Sequence, residues 1–278
     1  LISMAITSIT TDLQVNYFNI IILIMFIQSI FEQYLNYRQL KKLNQYEKLP
    51  ERLKLFNVEY EEFKKSKLYS IDKMLLTIVQ SSYELILELL LLVFFYYPFI
   101  WRQCKEILLY LGFDDSEYRR IPFFIIIETL RTTLQSLAFS YYKDFYVEEK
   151  HGFNKKTQFL FFKDLLISLS VNTVLTIPIS MGLVYVIEIG GEYFYIYVEV
   201  FIIVVMFFII TIYPHVIAPL FNKFTELEDC PLKEKIQVLA SKVEFPLTKL
   251  FKIDGSKRSA HSNAYFFGLG KNKRIVLF

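Results

Sequence analysis

The stretch Leu165–Pro214 reads LLISLSVNTVLTIPISMGLVYVIEIGGEYFYIYVEVFIIVVMFFIITIYP, two long apolar runs parted only by the short turn Glu188–Glu192. A run of ~20 mainly apolar residues crosses the hydrocarbon core of a bilayer. Leu165–Ile187 and Tyr193–Pro214 both meet that length, and the first of them carries no charged side chain. Composition agrees: 54% hydrophobic residues and a mean hydropathy of +0.36 stand above the ~45–50% apolar content usual for soluble domains. The chain reads as a membrane protein.

Outward from that pair, three more runs reach spanning length: Leu13–Phe31, also without charge, Met74–Ile100 and Ile121–Tyr142. The sequence thus predicts a membrane all-α domain of five transmembrane helices over residues 1–214, followed by a polar domain over residues 215–278. Leu13–Phe31 does not read as a cleavable signal, because its apolar run is too long, no basic segment precedes it and no small-residue cleavage site follows. The first residue is Leu1 rather than Met, so the natural start is expected upstream. Basic residues alternate with the spans. Ten Lys and Arg lie between the first and second spans, five in Lys143–Lys163 and eleven after Pro214. The second connection holds four, and none occur before the first span or in Glu188–Glu192. Lys and Arg are retained on the cytosolic side, so the N-terminus is expected outside or lumenal and the polar tail cytosolic.

A charge at mid-membrane costs roughly 2.5–3.5 kcal/mol and faces protein or water. Glu84 and Glu88, four apart, share one helix face, and Glu128 and Arg131, three apart, are spaced to pair within a helix. A water-filled cavity among the helices accounts for them as well as interhelical polar packing or a position near the interface does. Cys104 and Cys230 are too few for a disulfide framework and too far apart for a metal knuckle, and read as structural thiols. The histidines are His151, His215 and His261, and none pair at the i, i+4 spacing of a zinc-binding HExxH helix. Gly152, inside Glu148–Asn154, suits a turn that needs positive φ.

The tail changes character. Pro231–Val243 places Leu232, Ile236, Leu239, Ala240 and Val243 at helical spacing behind a proline. Lys249–Ile253 alternates as a strand, Asp254–Gly255 makes a turn, Ala260–Phe267 alternates again, and Arg274–Phe278 forms a third strand. Between the last two, GLGK lacks the four-residue spacing of a phosphate-binding loop and reads as a hairpin turn. The tail is the start of an α/β domain. A period of two puts His261, Asn263, Tyr265 and Phe267 on one face, and a strand left at a sheet edge can take an extended peptide by main-chain hydrogen bonds.

At this point the residues resemble a family. The blocks are Phe31–Gln39 (FEQYLNYRQ), Phe63–Lys73 (FKKSKLYSIDK), Glu148–Asn154 (EEKHGFN), Ala218–Thr225 (APLFNKFT), Gly255–Gly268 (GSKRSAHSNAYFFG) and Lys273–Phe278 (KRIVLF). In this order they resemble the integral-membrane zinc CAAX prenyl proteases, and the resemblance covers essentially the whole chain. It implies seven membrane helices around a water-filled chamber and a zinc-metalloprotease domain split around the last two. On that reading this chain supplies five helices and the truncated start of the protease domain. The HExxH helix, a downstream glutamate ligand and two further helices are then expected beyond Phe278. No catalytic residue or metal ligand carries over, and Zn2+ is expected in the complete enzyme but not on this fragment.

What the resemblance does carry over is the strand that borders the cleft and pairs with substrate: His261, Ser262, Asn263, Ala264 and Tyr265. By position, Asn263 would hydrogen-bond a substrate amide, and His261 would donate a proton or stabilise the transition state. The implied partners are prenylated CAAX proteins or peptides, cleaved at the C-terminal tail and at an upstream site, and membrane lipid. No nucleic-acid partner is expected. The implied location is the endoplasmic reticulum membrane, multi-pass, with the inner nuclear membrane as the other site. The fragment as it stands is expected to be inactive. The alternative is a non-catalytic polytopic protein, a transporter or scaffold, that shares the membrane half; HExxH in the downstream sequence separates the two.

Overall fold

The computed structural model describes residues 2–46, 49–50, 58–261, 263–268, 270 and 272–278, with side chains from residue 18 onward. The helices are α1 (Ile2–Gln45), α2 (Tyr60–Val93), α3 (Tyr96–Tyr110), α4 (Glu117–Tyr142), α5 (Gln158–Gly190), α6 (Phe194–Ile212), the single turn α7 (Ala218–Phe221) and α8 (Pro231–Lys242). Two π-helical turns, Lys143–Glu148 and Tyr213–Ile217, prolong α4 and α6. The strands are β1 (Phe224–Glu226), β2 (Leu247–Ile253), β3 (Ala264–Phe267) and β4 (Lys273–Leu277). The chain divides into two compact units, residues 1–103 with 139–147 and residues 104–138 with 148–278.

In the first unit α1 runs along α2. Their contact is partly polar: the Gln33 amide donates to Ser81 Oγ at 2.6 Å and to Ser82 Oγ at 3.3 Å. Small hydroxyl residues let helix backbones approach and hydrogen-bond across a membrane interface. The outer surface is apolar in both units. Neither α2 nor α6 holds a buried residue, and Ile24, Ile86, Val204 and Phe207 are all more than half exposed. Apolar surface on that scale needs lipid, because in water it is found only at interaction sites.

Among the described residues, three stretches are long and apolar enough to cross a membrane: Phe18–Gln45, Tyr60–Val93 and Gln158–Phe221. The third contains a hairpin. Gly191 takes φ +52, and a Cβ on Gly190 would stand 2.9 Å from Phe194 Cβ, so the two glycines fold α6 back against α5. At 1.5 Å per residue the 33 residues of α5 and the 19 of α6 measure about 50 Å and about 28 Å. Leu165–Ile187 and Tyr193–Pro214 are thus the two arms. Ile121–Tyr142 lies within the helix α4, which Glu128, Arg131 and Gln135 make less apolar than the other arms.

One expected span needs correction. Met74–Ile100 is not a single helix: α2 ends at Val93, Phe95 takes φ +53, and α3 begins at Tyr96. Pro98 has no N–H to offer the carbonyl four residues back and sits in the first turn of α3, where none is needed, whereas Pro122 and Pro178 are carried inside α4 and α5.

The intramembrane charges are met locally. Glu84 accepts from Gln80 Nε2 at 2.8 Å, and Glu88 accepts from the Tyr97 hydroxyl. Arg131 donates to Glu128 and to Gln135, both at 2.8 Å.

In the second unit the sheet has the order β1-β2-β4-β3. β1 and β2 are antiparallel, β2 and β4 parallel, β3 and β4 antiparallel. Leu250, Ile253 and Val276 form its core with Ala240 of α8. β2 starts two residues earlier than its alternation suggested, and β1 is an addition. β3 and β4 pair antiparallel on either side of the turn expected over Gly268–Lys273, with Gly268 at φ +118; Leu269 and Lys271 lie outside the described residues.

Candidate peptide-docking edge

β3 is the last strand in the sheet order, bonded to β4 on one side only. The Asn263 carbonyl accepts the Phe278 N–H at 3.1 Å, so Asn263 faces β4. Backbone groups alternate between the two edges of an antiparallel strand, which turns the N–H and C=O of Ala264 and Phe266 to the outer edge. That row is a template for another extended chain. The Ala264 N–H is occupied at 2.8 Å by the Asn263 side-chain oxygen. The Asn263 amide therefore stands where the first main-chain bond to an added strand would form.

The strand is shorter than its sequence suggested. Alternation ran from Ala260, whereas β3 begins at Ala264, because the preceding residues are bonded elsewhere. Ser259 bridges to Asn154, and the Ala260 N–H donates to the Phe153 carbonyl at 2.9 Å. His261 and Asn263 are thus exposed and lie ahead of the strand, while Tyr265 and Phe267 share its half-buried face. Their rings lie 6.3 Å apart, and burial raises the Tyr265 phenol above its ordinary value. Ser262 lies outside the described residues.

Glu148–Asn154 forms the shelf under His261. Gly152 turns it at φ +77, as expected of a residue without Cβ. The Phe153 ring stacks on the imidazole with centroids 4.1 Å apart, and Glu148 Oε2 lies 3.4 Å from His261 Nε2. Below, Arg258 grips Asp164 of α5 through Nε and Nη2 at 2.7 and 2.8 Å and reaches Asn222 Oδ1 through Nη1 at 2.8 Å. The Asp164 carboxylate raises the Arg258 guanidinium further above its usual range. Asp254, bonded by Lys257 Nζ and by the Lys223 N–H, is held below the ordinary carboxylate value.

The N-terminal CAAX prenyl protease model, described as five membrane helices, matches residues 39–223. This chain belongs to the CAAX prenyl protease family. The peptidase family M48 model matches residues 226–278. A CAAX prenyl protease 1 homolog of Taenia solium is 42% identical over 273 residues, which is 95% of this chain and 58% of the relative. One of Homo sapiens is 44% identical over 222 residues, 80% of this chain and 47% of the relative. The crystal structure of S. mikatae Ste24p superposes with a TM-score of 0.83 at 40% identity, covering 91% of this chain and 59% of that one. The chain spans about half the length of the curated relatives it matches.

Family M48 membership makes zinc the metal of the full enzyme. In this CAAX prenyl protease chain, among the described residues, no three His, Cys, Asp or Glu side chains converge on a point that would hold a metal ion. His261 has Glu148 beside it and a phenyl ring on its face, not the three or four donors that zinc requires. These residues do not fit the ion, and none of their chemistry is routed through it. The family reading of the sequence missed Arg258, Asp164, Asn222, Glu148 and Phe153 as parts of the site. Each lies in or beside a block that carries the resemblance, or at the start of a span, yet periodicity gives no means of joining residues 94 positions apart.

Proposed function

We propose that this chain forms the membrane half and the peptide-docking edge of a zinc metalloendopeptidase that cleaves prenylated CAAX proteins, with the metal held by HExxH and glutamate ligands elsewhere in the full enzyme. The observation that carries the proposal is the outer edge of β3, where Ala264 and Phe266 present backbone donors and acceptors beside exposed His261 and Asn263. A substrate segment adds there as a further strand, and its side chains alternate between the two faces of the sheet. Asn263 exchanges its bond with the Ala264 N–H for one to a substrate amide. His261, steadied by Phe153 and Glu148, stands beside the segment as the candidate proton donor or transition-state stabiliser. The protein is multi-pass in the endoplasmic reticulum or inner nuclear membrane, with the N-terminus lumenal and the β-sheet on the cytosolic side.

The test is Asn263→Ala in the full-length enzyme, assayed on a prenylated CAAX peptide. One lost hydrogen bond of about 1–1.5 kcal/mol lowers kcat/KM roughly five- to tenfold, at unchanged expression and melting temperature. Unchanged turnover in a correctly folded variant would remove Asn263 from the mechanism.

A further inference from the structure

We infer that Arg258 is a positioning residue: its three-bond clamp on Asp164 and Asn222 fixes Ser259, Ala260 and His261 so that His261 and Asn263 meet the β3 edge in one register. The inference rests on the docking role proposed for that edge.

Three separate parts of the chain converge on this guanidinium. Asp164 belongs to the first turns of α5, Asn222 follows α7, and Arg258 closes the 3-10 turn Gly255–Lys257 between β2 and β3. The bond to Asp164 is a two-point fork, with both side chains less than one-fifth exposed. Planar guanidinium and carboxylate match in this way, and an ammonium does not reproduce it. The Arg258 main chain is engaged too: its carbonyl accepts the Lys155 N–H at 3.2 Å and its N–H donates to the Gly255 carbonyl at 2.9 Å. Beyond it, Ser259 and Ala260 are tied to Asn154 and Phe153. The His261 N–H then donates to Ser259 Oγ at 3.1 Å. From Arg258 to His261 every residue carries a bond within the unit, and at Asn263 the carbonyl joins Phe278 while the side chain turns to the Ala264 N–H on the open edge.

Two side observations place the anchor at Arg258. Gly255 lies tightly under Phe278, where a Cβ would stand 2.5 Å from the ring, so the turn before Arg258 is seated against the residue that follows β4. Its neighbour Lys257 turns instead to Asp254, while Arg258 ties the edge to α5 through the Asp164 fork.

The test uses the full-length protein in lipid nanodiscs. Arg258→Lys keeps the charge and loses the fork; the swap Arg258→Asp with Asp164→Arg rebuilds an ion pair in reverse. In Arg258→Lys, amide hydrogen exchange over residues 259–264 is expected to quicken at least tenfold, with β2, β4, α5 and α6 unchanged. KM for a prenylated CAAX peptide is expected to rise about tenfold with kcat within twofold, and the swap is expected to recover most of both. Unchanged exchange in Arg258→Lys overturns the inference, and so does exchange quickened throughout the unit, which would make Arg258 an ordinary fold-stabilising residue. Local quickening with an unchanged KM places the failure in the docking role of the edge, not in the clamp.

Discussion

Gly268 shows how far one residue can be read in advance. It sits at φ +118, and a Cβ built there would lie 2.0 Å from the Asn272 carbonyl oxygen. Both the conformation and the space exclude a side chain. Gly268→Ala must move backbone at the mouth of the β3–β4 hairpin, at a cost of about 1–3 kcal/mol. The expected readout is a lower midpoint in chemical denaturation followed by an aromatic reporter of the sheet, with the helical signal little changed. A variant as stable as the parent would show that the hairpin relaxes freely. Composition marked this residue and Gly152 as turn glycines because only local geometry was at stake. The partners of Arg258 were not legible in the same way, since the fork to Asp164 depends on how α5 meets the β2–β3 connection.

At the scale of elements, periodicity found α8, β2 and β4 to within two residues, and apolar run length found both arms of the α5–α6 hairpin, although α5 starts seven residues before Leu165. Sequence pattern failed where tertiary bonds or a break in the helix overruled it. Met74–Ile100 is mainly apolar, and nothing in its hydropathy announces that Phe95 turns the chain three residues before Pro98. β3 lost its first half because Ser259 and Ala260 bond to Asn154 and Phe153. β1 is three residues long, too short for alternation to be seen. Within the sheet, β2 is central, flanked by β1 and β4, and Leu250 on it is 3% exposed. Leu250→Ala removes buried methyl groups from between the sheet and its covering elements, a change that costs about 2–5 kcal/mol. The expected outcome is a lowered sheet unfolding midpoint with membrane insertion unaffected. An unshifted midpoint would mean that the sheet draws its stability from elsewhere.

For the whole molecule the decisive relation is the one between the α5–α6 hairpin and the bilayer. The two helices are antiparallel neighbours joined at Gly190–Tyr193, so Gln158 and Ile212 lie on one side of the membrane and Glu192 on the other. Which side is which depends on charge: Lys143–Lys163 and the tail after Pro214 are rich in Lys and Arg, and the Glu188–Glu192 turn has none. In the orientation proposed from the positive-inside rule, the tail with its β3 edge is cytosolic and Glu192 is lumenal. Native thiols make this measurable. Cys230, in the tail, is partly exposed, whereas Cys104 is fully buried and serves as an internal silent control. In sealed microsomes, whose outer face is cytosolic, a membrane-impermeant maleimide is expected to label Cys230 at once. A Glu192→Cys variant in a Cys230→Ser background is expected to label only after the vesicles are opened with detergent. The opposite pattern would turn the molecule over and would place the β3 edge on the side of the membrane away from any cytosolic substrate.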